Sequence, residues 1–327
     1  TSEEAMEETM KMLDVYAKFA EDYLAIPVIK GEKTDSERFP GAVATYCIES
    51  MMQDRKALQS GTSHFLGQNF AKSSQIKFQN QNGELEYAWT TSWGVSTRLI
   101  GALIMAHSDD NGMVIPPRVA PAHVALIPIY KNEEEHAEVM KFVNELGDKL
   151  HSVRYLDQKL RVEIDNRDMT SSERNWNWIK RGIPVRVEIG MRDIASGTVM
   201  VGRRDHEARD KKATPVDELL SGIVDILEDI QTKIYTKALE FRNANTLPID
   251  DHEQFYAFYT PKNANEPEIH GGFASSHWCG DAACEAKIKE DLKVTIRCIP
   301  LDAVEEDGKC ICCGKASKRR VIFAKNY

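Results

Sequence analysis

Met6, Met10, Leu13, Ala17, Ala20 and Leu24 recur at steps of three and four, the spacing of one face of a helix. Thr1 stands three residues before Glu4, the pairing in which each side chain caps the other's backbone N–H, so the helix is expected to start at once. Ile26-Pro27-Val28-Ile29 predicts a short buried strand. Polar and apolar residues alternate over 75–78 and 85–89 on either side of Asn82-Gly83, which predicts a β-hairpin. Its second arm runs into Ser92-Trp93-Gly94-Val95-Ser96-Thr97-Arg98. A helical pattern follows in Leu99, Ile100, Leu103 and Ile104 and should stop near Asp110-Asn111-Gly112.

Prolines crowd residues 116–121, and that density breaks helices and marks the first domain boundary. Beyond it the pattern changes to strands at 123–129, 160–164, 184–189 and 198–201, with helices near 133–151 and 171–180. Such alternation implies a mixed or parallel sheet with helices against it. A long helix follows with Thr214 as N-cap, Pro215 at the first position and the stripe Val216, Leu219, Ile223, Ile226, Ile230, Ile234. Three units are expected, 1–121, 122–222 and 223–327.

Composition narrows the class. The 327 residues are 42% hydrophobic and 28% charged, with no apolar run long enough to cross a bilayer and no basic-then-apolar leader at the start, so a folded cytoplasmic protein is expected. A net charge of −9 argues against a protein that coats nucleic acid without specificity, but leaves room for a local basic face.

Six of the seven cysteines lie in the last 49 residues, after Cys47. Cys279-x4-Cys284 and Cys310-x2-Cys313 form two close pairs with Gly314 directly behind, the pattern that gives zinc four thiolates in a tetrahedron. Such a closed site is structural. Cys312 competes with its neighbours, His277 is an outside candidate, and free or disulfide-bonded thiols are the alternative. Cys47 and Cys298 read as buried hydrophobes.

Two further segments carry chemistry. Arg98 falls in the first turn of an apolar helix, where a cation opposes the helix dipole. Either a bound anion or a nearby carboxylate should offset it. Gln59, Thr62, Ser63 and His64 surround a glycine and read as a polar turn, with His64 a structural histidine or a base.

In order along the chain, Ala57-Leu58-Gln59-Ser60-Gly61-Thr62-Ser63-His64, Ser92-Trp93-Gly94-Val95-Ser96-Thr97-Arg98 and Asp109-Asp110-Asn111-Gly112-Met113-Val114-Ile115-Pro116-Pro117-Arg118 closely resemble the prolyl-tRNA synthetases of the archaeal and eukaryote-like type. The resemblance runs the length of the chain. It implies a mixed α/β (α+β) protein: the remainder of a class II antiparallel-sheet catalytic domain, an α/β anticodon-binding domain and a small zinc-binding domain. It implies proline–tRNA ligase activity with ATP, Mg²⁺ and structural Zn²⁺, tRNA(Pro) and proline as partners, and a homodimer. Arg98 matches the motif 3 arginine on the ATP phosphates, and Gln59 and Thr62 match the ATP side. Phe39, His64, Ser92, Trp93 and Gly94 match the proline pocket, and Arg186, Arg192 and Asp193 the anticodon side. The family's motifs 1 and 2 would precede Thr1, in a missing N-terminal catalytic segment, so this chain alone is expected to be inactive. The sequence departs from the family at Gln53-Asp54-Arg55-Lys56, where Pro-Asp-Gly-Arg is usual, and at Ile179, where an acidic residue is usual. A non-catalytic tRNA-binding module derived from such a synthetase is the rival reading.

Overall fold

The computed structural model describes residues 1–263 and 268–327. Internal contacts divide them into two compact units: Thr1–Asp22, Ile26–Ala106 and Ala238–Tyr327 form the first, Tyr23–Ala25 and His107–Lys237 the second.

The first unit begins with α1 (Ser2–Lys18), closed by the expected reciprocal cap between Thr1 and Glu4. Its buried face is Ala5, Thr9, Leu13, Tyr16 and Ala17, while Met6 and Met10 are only half-buried. A polar residue that an apolar pattern cannot register sets this rotation. Thr9 is fully buried, its hydroxyl donates to the Ala5 carbonyl, and its own carbonyl accepts from Ser63 at 2.7 Å. Next come β1 (Val28–Glu32), β2 (Ala44–Met51), β3 (Ala57–Gly67), the short α2 (Asn69–Ser73), the expected hairpin of β4 (Lys77–Gln79) and β5 (Leu85–Tyr87), β6 (Thr90–Gly94) and α3 (Arg98–His107). β1, β2, β3 and β6 are successive antiparallel neighbours. In the β2–β3 turn Arg55 has φ +63, a left-handed conformation that costs a side chain about 1 kcal/mol. It stands where the resembled family has glycine.

In the second unit the elements are β7 (Val124–Ile129), α4 (Glu133–Ser152), a two-residue hairpin of β8 (Arg154–Tyr155) and β9 (Gln158–Lys159), β10 (Val162–Ile164), α5 (Ser171–Lys180), β11 (Val185–Gly190), α6 (Met191–Ser196), β12 (Thr198–Arg203), β13 (Lys211–Pro215) and α7 (Val216–Ala244). The sheet order is β10-β7-β11-β12-β13, parallel among the first three and antiparallel beyond. β7 and β11 turn Val124, Leu126, Val185, Val187 and Ile189 toward α4 and α7. Trp178 of α5 covers Ala125 and Ile127 on the opposite face. Thr214 and Pro215 do not cap α7. They close β13, an edge strand in which Thr214 is buried opposite Val199, and proline is tolerated there because an edge leaves one row of N–H groups unneeded.

From Ala238 the last turns of α7 belong to the first unit. They lead to β14 (Thr246–Pro248), α8 (His252–Tyr259), β15 (Phe273–His277), α9 (Ala282–Leu292), β16 (Thr295–Pro300), a small hairpin of β17 (Gly308–Lys309) and β18 (Ala316–Ser317), and β19 (Arg320–Ala324). β16 pairs with β1, so one eight-stranded sheet runs β14-β15-β19-β16-β1-β2-β3-β6. Where the sequence pattern suggests three units, contacts make two: position 222 lies inside α7, and the cysteine-bearing segment shares its sheet with the N-terminal strands. Gly31 of β1 makes this seam possible, because Cys298 of β16 occupies the place of its missing side chain. Among the described residues no helix is long and apolar enough to cross a membrane.

Candidate functional site

β3 supplies the centre of the candidate catalytic face. Gln59 and Thr62 are three apart and would point to opposite sides of a regular strand. The register of β3 against β2 slips by one residue at Ser60, and this bulge returns Gln59, Thr62 and His64 to one half-buried face. Thr62 lies opposite Gly94 and His64 opposite Ser92, so β6 extends the same face. A Cβ on Gly94 would meet nothing within 4 Å, which leaves the floor open to a ligand. Trp93 is different. It pairs with Ser63, whose hydroxyl donates to Thr9 of α1, so strand alternation turns the indole to the α1 side, away from His64.

His64 is held by Thr45. The Thr45 hydroxyl accepts from the Phe39 N–H at 3.2 Å and lies 3.0 Å from His64 Nδ1, so its proton is placed to satisfy that nitrogen and leave Nε2–H as a donor. Burial keeps the imidazole's pKa below its ordinary value, so it is neutral at pH 7. The Phe39 ring stands 4.8 Å from the His64 ring and is itself 45% exposed, forming an aromatic wall without a lid.

Arg98 opens α3, its backbone N–H donating to Ser96 Oγ. Its side chain lies back over β3, Nη1 donating to the Gln59 carbonyl at 3.1 Å. Among the described residues no carboxylate pairs with this exposed guanidinium. Of the two groups that could offset a cation at this helix start, the carboxylate is absent, and the remaining donors face solvent beside Gln59 and Thr62. Sequence reasoning passed over an anchor on this same side of the sheet, next to Gln59. Glu49 of β2 is fully buried and takes Lys33 Nζ at 2.8 Å and Arg297 at 3.1 Å, tying β2 to β16. A lone charged residue in the otherwise uncharged strand 44–51 was its signal.

The sulfurs of Cys279, Cys284, Cys310 and Cys313 lie within 4.8 Å of one another, with Cys279 at 3.8 Å from Cys284 and 3.7 Å from Cys313. A zinc ion about 2.3 Å from each of four sulfurs in a tetrahedron requires sulfurs about 3.8 Å apart, so the donor set fits. Gly280, directly after Cys279, and Gly314, directly after Cys313, both take positive φ and turn the chain beside the sulfurs. His277 is not among them; it lies 3.4 Å from both Ser317 Oγ and Glu306 Oε1. Cys312, next in the chain, stays outside the cluster of four.

In the second unit Arg186 projects from β11 to the α5 side and is 2% exposed. Its Nε donates to Asn175 at 3.0 Å, but Nη1 and Nη2 have no hydrogen-bond partner. Ile179, one turn further along α5, is buried and offers no carboxylate. Burial, and then repulsion from Arg204, lower the pKa of this guanidinium to about 10. Arg192 is exposed at the start of α6, while the Asp193 carboxylate is engaged in accepting from the Gly190 N–H. The structure thus joins Gln59, Thr62, His64, Ser92, Gly94 and Arg98 on one face and keeps Arg186, Arg192 and Asp193 in the other unit.

Residues 123–226 match the family described as "Anticodon binding domain". Residues 266–327 match "Prolyl-tRNA synthetase, C-terminal". The chain is 53% identical to proline–tRNA ligase 2 of Anaeromyxobacter dehalogenans, over all of this chain and 65% of that protein. It is 50% identical to the proline–tRNA ligase of Bdellovibrio bacteriovorus, over all of this chain and 64% of that one. A crystal structure of prolyl-tRNA synthetase from Cryptosporidium parvum, complexed with halofuginone and AMPPNP, superposes with a TM-score of 0.88 at 34% identity, covering all of this chain and 65% of that one. Another, with L-proline and AMP, gives 0.87. The chain belongs to the prolyl-tRNA synthetase family, and it spans a little under two thirds of the length of these relatives.

Proposed function

We propose that this chain supplies part of a cytoplasmic, homodimeric proline–tRNA ligase, in which it binds ATP, proline and tRNA(Pro). The observation that carries the reading is Arg98, a helix-start guanidinium without a carboxylate partner among the described residues, set over the face that bears Gln59, Thr62 and His64. It would hold the phosphates of Mg-ATP by charge-assisted hydrogen bonds. Gln59 and Thr62 would line the nucleotide side. Phe39, the neutral His64, and the strand edge of Ser92 and Gly94 would form one wall of a slot for the pyrrolidine ring, with Trp93 contributing backbone only.

The proline carboxylate oxygen would attack the α-phosphorus of ATP, forming one P–O bond as the bond to pyrophosphate breaks. The terminal ribose hydroxyl of tRNA would then attack the prolyl carbonyl and release AMP. Positioning and charge stabilisation suffice for both steps, so none of these side chains needs to be a strong base. Arg186, with Arg192, would bind the anticodon. Asp193 would shape that surface through its cap, and Ile179 removes the acidic contact usual in the family. Zinc on Cys279, Cys284, Cys310 and Cys313 would cross-link the first turn of α9 and the turn before it to the turn that follows β17.

The test is pyrophosphate exchange into ATP by the full-length protein over a panel of amino acids. Proline dependence is the expected result, and equal rates with other amino acids would overturn the reading. Residues 1–327 alone are expected to bind tRNA(Pro) weakly and to show no exchange, because nothing in them matches the motif 2 arginine.

A further inference from the structure

The loop between β1 and β2 brings Phe39 over His64, yet its first residues border a cleft of about 540 Å³ lined by Lys33, Thr34, Trp278, Cys279 and Glu285. Two side chains of α9 reach this loop. The Thr34 hydroxyl donates to Glu285 Oε1 at 2.8 Å, and the two residues are 3% and 4% exposed. Four residues along the same helix face, Lys289 reaches Glu37 at 2.9 Å, largely in solvent. These contacts are unequal. Breaking the buried one strands a carboxylate away from water, whereas the exposed pair is screened. At the far end the loop is fixed by Phe39 N–H on Thr45, and within it by Glu37 N–H on the Thr34 carbonyl. The buried Lys33, held by Glu49, fixes the start of the loop, and Thr34 is the pin that directs the chain from there toward Phe39.

We propose that α9 positions the substrate-side loop: Glu285, supported by Lys289, holds Thr34 and Glu37 so that Phe39 stays over His64 and sets the affinity of the amino-acid pocket. Glu285 and Lys289 are positioning residues, since neither lies on the candidate catalytic face. The proposal rests on the reading of Phe39 and His64 as the wall of that pocket. It gives the cysteine-bearing segment a part in substrate binding, because Cys284 of the sulfur cluster directly precedes Glu285 in the first turn of α9.

The test uses Thr34→Val and Glu285→Ala, with Thr34→Ser and Glu285→Gln as conservative variants that keep the hydroxyl donor and the Oε1 acceptor. Metal content is measured in each, and Thr34→Val, which lies outside the helix, decides the matter if Glu285→Ala loses metal. Amide hydrogen exchange over residues 34–42 is expected to quicken about tenfold in the two disruptive variants and to stay near wild type in the conservative ones. In the full-length protein the KM for proline should rise about tenfold, while kcat and the KM for ATP change by less than about twofold. Unchanged amide exchange in Thr34→Val overturns the positioning role, whatever the enzyme does. A loosened loop with an unchanged KM for proline overturns the link to affinity and removes Phe39 from the pocket, a failure of the pocket reading and not of the α9 contact.

Discussion

Replacing Arg186 with methionine should make the protein more stable and a poorer ligand for tRNA. The guanidinium is 2% exposed, both terminal nitrogens lack partners, and its pKa falls from the ordinary arginine range to about 10 because burial strips away its water and Arg204 repels it. Each tenfold change in a protonation constant is worth 1.36 kcal/mol, so the charged form is disfavoured by about 3 kcal/mol in the folded state. Methionine keeps the apolar stem, and losing the hydrogen bond to Asn175 returns about 1 kcal/mol. The net gain is about 2 kcal/mol. A base whose folded pKa is depressed penalises folding at every pH below that pKa, so the gain is present in full from pH 6 to 9. For a unit of this size it corresponds to a rise in Tm of about 6–10 °C. Calorimetry of the whole chain at pH 7.5, without tRNA, reads it directly. Anisotropy of labelled tRNA(Pro) should show binding weakened about 5- to 150-fold, since a guanidinium facing a base edge is worth about 1–3 kcal/mol. A Tm that falls with tRNA affinity intact would refute the reasoning, because it would mean the guanidinium has its partner in the free protein.

Metal analysis should find one zinc per chain, and less than about half an equivalent with freely titratable thiols would contradict the four-thiolate site. Burial holds His107 and His123 at a pKa of about 4, with Lys237 near the first and Arg161 near the second also repelling a proton. Their folded pKa values lie below the ordinary 6.5, so the unfolded chain takes up protons first and stability drains away as pH falls from about 6.5 to 4, by up to about 3 kcal/mol for each. Tm measured between pH 7 and 4.5 should fall, and His123→Gln should flatten the slope. An identical slope in that variant would remove His123 from the effect.

Local signals carried far in this sequence, and long-range pairing did not. Thr1–Glu4, the hairpin around Asn82-Gly83 and the strand–helix alternation of the second unit depend on neighbours in the chain, and each is found where the pattern puts it. β13 escaped because Thr214-Pro215 is as good a helix start as a strand end, and only pairing with β12 decides between them. The joining of β1 to β16 escaped because its cause, Gly31 making room for Cys298, links opposite ends of the chain. The motif residues on β3 were legible one by one. Their common face was not, since it depends on a bulge at Ser60. Trp93 is a motif position whose side chain the strand's alternation turns to the α1 side, which the motif alone does not reveal.

The most direct test of the candidate catalytic face is Arg98→Ala in the full-length protein, assayed by proline-dependent exchange of pyrophosphate into ATP, with Arg98→Lys alongside. Loss of a phosphate-holding cation from the transition state should lower kcat/KM about a hundredfold or more, with Arg98→Lys between the two because it keeps the charge and loses the fork. Zinc content and Tm should stay unchanged, since this exposed side chain makes one hydrogen bond, to the Gln59 carbonyl, among the described residues. Exchange at the wild-type rate in Arg98→Ala would contradict the account.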